Sequence, residues 1–133
     1  MDLLAAGTGG EFVTSQTPKL CDGTPHGLKL TNEGGKMYLY HANNDQKLTK
    51  TTLDGTIVWQ VNGNFGQDPS VAYRPTWFAT PAGSKYVYLC DGYGSNNVYV
   101  FSRDGVFANK TFGGQGDRSQ HGKFSTNHGC TYV

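Results

Sequence analysis

Two histidines and one tyrosine are the residues whose type and spacing could support chemistry. His26 and His128 each precede a glycine, and Tyr93 lies between them in the chain. Imidazole is a preferred zinc ligand, and a site with two or three protein ligands keeps a coordination position open for substrate. A tyrosine beside such a cation could act as a base, because a nearby positive charge favours the phenolate form. Each histidine alone is more typical of a satisfied polar residue, and a tyrosine in a loop commonly serves only in packing.

The other histidines and the cysteines carry a weaker signal. His41 and His121 fall in predicted loops, and we expect neither to have a functional role. Cys21, Cys90 and Cys130 are an odd number of cysteines at no metal-like spacing. We expect them to be small buried hydrophobic residues. One disulfide with a free thiol is the alternative.

An internal repeat indicates which elements would position these side chains. Shifted by about 50 residues, the sequence matches itself, which is the period of a repeat architecture. The matching residues are Pro25 and Pro75, Tyr38-Leu39 and Tyr88-Leu89, and Asp54-Gly55 and Asp104-Gly105. Each copy predicts an apolar strand after the proline, an alternating strand, a strand ending at an Asp-Gly hairpin, and a closing strand. The second strands are predicted at 36–40 and 85–89, and the fourth strands at 56–60 and 106–110.

Four short antiparallel strands in each copy are typical of a β-propeller blade. A β-sandwich would not explain an in-register repeat of whole four-strand units. We therefore predict an all-β fold, a single partial propeller domain with blades at 23–66 and 67–118. Residues 1–22 would be the end of a preceding blade or a linker, and 119–133 the first strand of the next blade. Because a lone first strand has unpaired edges, we expect a truncated copy of a longer protein or pairing between chains.

Several motifs carry a family resemblance. The segment 91–105 resembles the NHL-repeat signature, and residues 24–133 are similar to the amidating lyases that act on peptidyl-α-hydroxyglycine. The motifs are Pro25-His26-Gly27-Leu28, Arg74-Pro75-Thr76 leading to Asp91-Gly92-Tyr93, and Gly122-Lys123-Phe124 leading to Asn127-His128. The resemblance implies a six-bladed ring and a lyase that breaks a C–N bond to give a peptide amide and glyoxylate.

The resemblance also implies roles for individual residues. His26 and His128 match two of the family's three zinc ligands, each on the first strand of a blade, and Tyr93 matches its catalytic tyrosine. A calcium ion would be bound partly by the carbonyl of Leu28. The third histidine and two substrate-binding arginines would lie outside this chain.

The sequence departs from the family pattern at four positions. Tyr73 and Gly94 stand where the family has a disulfide within the blade. Asn97 replaces an arginine, and Asn127 replaces a proline. Asp91, in the Asp-Gly-Tyr motif, is predicted to be structural, with its carboxylate accepting hydrogen bonds from the backbone of the turn.

The functional prediction is a fragment of, or a ring-forming subunit related to, a zinc-dependent amidating lyase, inactive alone. A non-catalytic NHL module that binds protein or peptide is the alternative. The partners would be a peptide substrate or protein ligand and further copies of the chain that close a ring. A net charge of +1 with scattered basic residues gives no reason to expect nucleic acid or a membrane surface as a partner. Residues 1–10 do not resemble a secretory signal, and the compartment is left open.

Overall fold

The described part of the chain is made of ten β-strands. The structure is a computed structural model that describes residues 2–4, 12–15, 23–63 and 65–132. The strands are β1 Asp2–Leu4, β2 Phe12–Ser15, β3 Pro25–Glu33, β4 Lys36–Asn43, β5 Lys47–Thr51, β6 Ile57–Val61, β7 Trp77–Ala79, β8 Tyr86–Cys90, β9 Asn97–Ser102 and β10 Phe107–Gly113. These residues contain no helix, and therefore none of the length and apolarity needed to cross a bilayer. The predicted all-β class is confirmed.

The two copies of the repeat form two antiparallel sheets of four strands each. The first has the order β3-β4-β5-β6 and the second the order β7-β8-β9-β10, while β1 and β2 form a separate two-stranded pair. The prediction of four antiparallel strands in each copy is confirmed. The predicted second strands correspond to β4 and β8, and the predicted fourth strands to β6 and β10.

The two Asp-Gly hairpins have the same backbone hydrogen bonds. In the first sheet the N–H of Thr52 donates to the carbonyl of Thr56 at 3.0 Å, and in the second the N–H of Ser102 donates to the carbonyl of Val106 at 2.8 Å. The glycine of each hairpin has a positive φ, 89° and 81°, a conformation that glycine adopts without steric cost. The repeat is therefore present in the backbone as well as in the sequence.

The core lies between the two sheets. Because side chains alternate along a strand, one face of each sheet collects the large apolar residues. The buried members of this core are Tyr40, Ala42 and Leu48 from the first sheet, Phe78, Val87, Leu89, Tyr99 and Phe101 from the second, and Tyr73 from the segment before β7. Across the interface the ring centroids of Tyr40 and Phe78 are 5.5 Å apart. Burial of these faces holds the sheets together.

The first strands of the two sheets, β3 and β7, run side by side. Near one end of this seam the hydroxyl oxygens of Thr31 and Thr80 are 2.8 Å apart and share a hydrogen bond. At the other end Gly27 lies so close to the next sheet that an added Cβ would come within 2.5 Å of the Thr76 carbonyl oxygen. The seam therefore brings the start of β3 into direct contact with the residues before β7.

An ionic cluster also links the two sheets. The carboxylate of Glu33 accepts hydrogen bonds from Lys50 at 2.6 Å, from Arg103 at 2.7 Å and from the Tyr40 hydroxyl at 2.6 Å. Arg103 belongs to the second sheet's hairpin and also donates to two backbone carbonyls of the 81–84 turn. Burial by itself raises the pKa of Glu33, but the hydrogen bonds from Lys50, Tyr40 and Arg103 outweigh it and hold the pKa below its ordinary value of 4.5.

The variant Glu33→Gln should lower the free energy of unfolding at pH 7 by about 3 to 5 kcal/mol, because two largely buried cations, Lys50 and Arg103, lose their counter-charge. The lowered pKa means that this stabilisation is fully present above pH 4.5 and is lost as the pH falls through the folded-state pKa. Urea unfolding of the wild type and of Glu33→Gln, from pH 7 to below pH 4.5, measures the difference in the free energy of unfolding. The matched control is Asp104→Asn, which removes an exposed carboxylate from the second hairpin and should leave the unfolding midpoint nearly unchanged.

His41 lies within β4, and the prediction that it belongs to a loop is wrong. The predicted strand 36–40 continues to Asn43 because β5 pairs with β4 from Leu39 to Asn43. The His41 side chain is buried, with Nε2 3.0 Å from the hydroxyl oxygen of Thr51. Its burial disfavours the charged imidazolium and lowers the pKa of His41 to about 4.

We expect the imidazole signal of His41 in an NMR titration to move with a midpoint near pH 4. The unfolded chain takes up this proton at about pH 6.5, so the free energy of unfolding should decrease as the pH falls from 6.5 towards 4. The variant His41→Gln identifies the signal and should remove this part of the pH dependence. A midpoint near 6.5 for the signal lost in that variant would show that the side chain is not buried as described.

Candidate functional site

His26 is aimed away from its own sheet by an irregularity at the start of β3. The pairing of β3 with β4 shifts register between Pro25 and Gly27, and such bulges reorient the side chain at the extra residue. The ring Nδ1 lies 2.9 Å from the carbonyl oxygen of Thr76. Since a carbonyl can only accept, Nδ1 carries a proton, and in the neutral ring the lone pair is then on Nε2. A hydrogen bond from the second ring nitrogen to a carbonyl is typical of histidines that bind metals.

Tyr93 is held by a turn that Asp91 organises. The Asp91 carboxylate is fully buried and accepts hydrogen bonds from the backbone N–H groups of Arg74 and Ser95 and from the Ser95 hydroxyl. Burial raises the pKa of Asp91, and these hydrogen bonds oppose that rise. The structural role predicted for Asp91 is confirmed. The side chain of Tyr93 itself is 45 % exposed, so the anchor is buried while the phenol remains accessible.

His128 belongs to a segment held by contacts other than strand pairing. The described residues of 119–132, where a first strand was predicted, form no strand. Instead the Thr76 hydroxyl donates to the carbonyl of Asn127 at 2.8 Å, and a disulfide joins Cys130 to Cys90 at the end of β8. A hydrogen bond and a covalent bond on either side of His128 therefore fix its position.

The three rings meet in one cluster. The ring centroids of His26 and His128 are 5.3 Å apart, those of His26 and Tyr93 are 5.1 Å apart, and those of Tyr93 and His128 are 4.5 Å apart. All three pairs meet edge to face. The structure thus brings together the three residues singled out in the sequence, from three segments far apart in the chain. His121, by contrast, lies exposed in a turn.

A cavity of about 570 Å³ opens beside Tyr93. Its lining residues are Thr24, Asn44, Asp45, Gln46, Arg74 and Tyr93. Arg74 brings a cation into this cavity, while the carboxylate of Asp45 is already bound by the backbone N–H of Thr24 at 2.9 Å. The cavity therefore offers polar groups and one positive side chain next to the phenol.

The cysteines differ from expectation. Cys90 and Cys130 form a disulfide, with their Cα atoms 6.5 Å apart, so the interpretation of the cysteines as small buried hydrophobes is wrong for this pair. The two cysteines meet only in the tertiary structure, because the segment after β10 folds back against the end of β8. Cys21 lies outside the described residues.

Three residues of the site belong to the motifs quoted from the sequence, but no role in the site was predicted for them. Thr76 contacts the segments of all three rings, and Gly27 and Gly92 allow the backbones to approach. A Cβ at Gly92 would collide with the carbonyl of Asn127, much as one at Gly27 would collide with that of Thr76. The signal in the sequence was a glycine directly beside His26 and another beside Tyr93.

Two of the three side chains in the cluster, the imidazoles of His26 and His128, are of a type that binds metals. Within 23–63 and 65–132, no three side chains of the His, Cys, Asp or Glu type gather at one point. The cluster provides two imidazoles with a phenol oxygen beside them. In the neutral His26 ring, the lone pair on Nε2 is available to a metal ion. Leu28 lies opposite His41 in the β3–β4 ladder, and its carbonyl as a calcium ligand stays a prediction.

No protein-family model matches this chain, and no curated protein sequence matches it. The resemblance to amidating lyases therefore remains a hypothesis that depends on the motifs themselves.

Breaking the disulfide should release His128 from the cluster. In Cys130→Ser the free energy of unfolding should fall by about 2 to 4 kcal/mol, because the closed loop gains conformational freedom in the unfolded chain. The nuclear Overhauser contacts between the rings of His128 and Tyr93 should weaken in the same variant. Cys21→Ser is the control, since it makes the same substitution at a cysteine that is not part of the Cys90–Cys130 bond. Unchanged ring contacts in Cys130→Ser would contradict the expectation.

Proposed function

We propose that this chain supplies two zinc ligands and the base of a lyase that cleaves the C–N bond of peptidyl-α-hydroxyglycines, giving a peptide amide and glyoxylate. The observation that carries this proposal is the cluster formed by His26, Tyr93 and His128, with all ring centroids within 5.3 Å of one another. Two imidazoles and a phenol in contact form a set of groups suited to polarise and deprotonate a hydroxyl group.

The proposed ligands are Nε2 of His26 and an imidazole nitrogen of His128. For His26, the hydrogen bond from Nδ1 to the Thr76 carbonyl supports this assignment, because it orients the ring and fixes the tautomer. When bound, zinc would supply a positive charge that polarises the substrate oxygen and favours phenolate nearby.

In this proposal Tyr93 moves the proton. Its phenolate oxygen takes the proton of the carbinol hydroxyl, the oxygen's electrons form the aldehyde C=O of glyoxylate, and the C–N bond breaks. The electron pair of that bond goes to the amide nitrogen, which takes up the proton that Tyr93 holds. Atoms and charge balance without an oxidant or a co-substrate. The fully buried Asp91 supports this role by holding the turn while the phenol remains exposed.

The cavity beside Tyr93 fits the substrate end of this reaction. Arg74 is a cation placed to attract the glycine carboxylate, and the polar side chains of Asn44 and Gln46 line the same cavity. Access from this side would bring a hydroxyl carbon next to the phenol. The exposed fraction of Tyr93, 45 %, is consistent with such access.

The two sheets are proposed to be propeller blades of the NHL type. Their first strands lie side by side, their apolar faces pack against each other, and both copies share the hairpin geometry. Blades of a propeller meet in this way around a central axis. The calcium ion expected at the Leu28 carbonyl would lie near that axis.

We propose that further copies of the chain close the ring. Large apolar side chains lie exposed in both sheets and beyond them, and a neighbouring blade would cover such residues. The most exposed are Leu30, Ile57, Val58, Val106, Phe112 and Tyr132. Light scattering on the purified chain should therefore give two or three times the mass of one chain. A strictly monomeric species at all concentrations would exclude a ring made of identical chains.

Zinc binding tests the metal site directly. Titration calorimetry should show that the wild type binds zinc. Loss of a residue that only orients a metal ligand typically weakens metal binding about 10- to 100-fold. Because His26→Ala and His128→Ala each remove a ligand itself, each should weaken zinc binding by more than that. The matched control is His121→Ala, which removes an exposed imidazole outside the cluster and should bind zinc as the wild type does. Equal affinities in all four proteins would refute the metal site.

Activity separates the lyase from a plain binding module. The zinc-loaded oligomer should release glyoxylate from an N-acyl-α-hydroxyglycine, and Tyr93→Phe should slow that release by about 10²- to 10⁴-fold, as expected for loss of a general base. Zinc affinity should be little changed in the same variant. Zinc binding without glyoxylate release by the wild type would favour the alternative, a non-catalytic NHL module that binds protein or peptide.

A further inference from the structure

We infer that Thr76 is a positioning residue that sets the three rings of the candidate site relative to one another. The inference deepens the proposed function and rests on it for the role of the rings. Thr76 is fully buried and directly precedes β7. In the repeat it occupies the position that His26 holds in the first copy, since each follows the aligned proline.

The backbone of Thr76 holds the first ring. Its carbonyl accepts the hydrogen bond from Nδ1 of His26 at 2.9 Å, and its N–H donates to the carbonyl of Cys90 at 2.9 Å. The second bond attaches Thr76 to the end of β8, so the carbonyl that orients His26 is itself fixed by the sheet.

The hydroxyl of Thr76 holds the segments of the other two rings. It donates to the carbonyl of Asn127 at 2.8 Å and accepts from the N–H of Gly92 at 3.3 Å. A second acceptor, the Cys90 carbonyl, lies farther away at 3.1 Å. Because a hydroxyl has one proton, the shorter contact to Asn127 takes most of it. The residues directly after these two partners are Tyr93 and His128.

One buried side chain therefore contacts both neighbours of the exposed rings. The methyl of valine would fill the same volume as the hydroxyl but would leave the Asn127 carbonyl and the Gly92 N–H without this partner, and a buried polar group that loses its partner is destabilising. The carbonyl bond to His26 would remain. Loss of the hydroxyl should thus displace Tyr93 and His128 while the orientation of His26 is kept, an asymmetry that a general loss of stability would not produce.

The experiment compares three variants of the full chain: Thr76→Val, Thr76→Ser and Thr51→Val. Thr51 is also fully buried and its hydroxyl bonds to His41, so Thr51→Val removes a comparable hydroxyl outside the site. Ring-to-ring nuclear Overhauser contacts in the metal-free protein and zinc affinity by calorimetry are the two readouts.

Thr76→Val should lose the contacts between Tyr93 and His128 and bind zinc about 10- to 100-fold more weakly, as for other partners that orient ligands. Thr76→Ser should restore both readouts, and Thr51→Val should change neither although it lowers stability. Unchanged ring contacts in Thr76→Val, or equal losses in Thr51→Val, would overturn the inference.

The two readouts keep this inference separate from the proposed function. If the wild type binds no zinc, the metal site fails, but the ring contacts of the metal-free protein still decide whether Thr76 positions the rings. If Thr76→Val does not fold, Thr76→Ala removes the same hydroxyl, and with it the bonds to Asn127 and Gly92, without placing a methyl group where the oxygen was. That variant should lose the contacts between Tyr93 and His128, and their retention would count against the inference.

Discussion

The close approach of the β3 and β7 backbones is the constraint on which the rest of this structure depends. It is possible because residue 27 is glycine, since any Cβ there would meet the Thr76 carbonyl. With the two first strands in contact, the apolar faces of the sheets meet and are buried. The same approach places His26 within hydrogen-bond distance of the second sheet. One steric condition therefore serves both the core and the site.

The two ends of this seam are held by different kinds of interaction. At the end of β3, the carboxylate of Glu33 joins two cations and a phenol, and the charges require one another because they are largely withdrawn from water. At the start of β3, neutral hydrogen bonds around Thr76 hold the rings. The charged end contributes to stability, and the neutral end leaves the accessible groups of the cluster free to meet a ligand. The anchors Thr76, Asp91 and Cys90 are fully buried, whereas the rings they hold are exposed.

Much of the fold could be predicted because strand formation follows local patterns. The alternation of side-chain type along 36–40 and 85–89 predicted the strands β4 and β8. The Asp-Gly pairs predicted the hairpins that precede β6 and β10. The ends of the strands were less predictable. β4 extends through His41 because β5 pairs with it there, and pairing partners are a property of the sheet and not of the strand's own residues. The segment around His128 is similar in sequence to the first strand of a repeat but forms no strand, since no strand lies beside it in the described residues.

The sequence by itself determined the class of the fold, the two four-stranded units and the three residues worth examining as a site, because residue type, period and repeat can be read along the chain. Only the tertiary structure decided that those residues touch, that Cys90 and Cys130 are bonded, and that Thr76 lies at their centre. The physical reason is that each of these contacts joins segments from different strands and sheets. Their meeting depends on how the two sheets pack, and no local pattern records that packing.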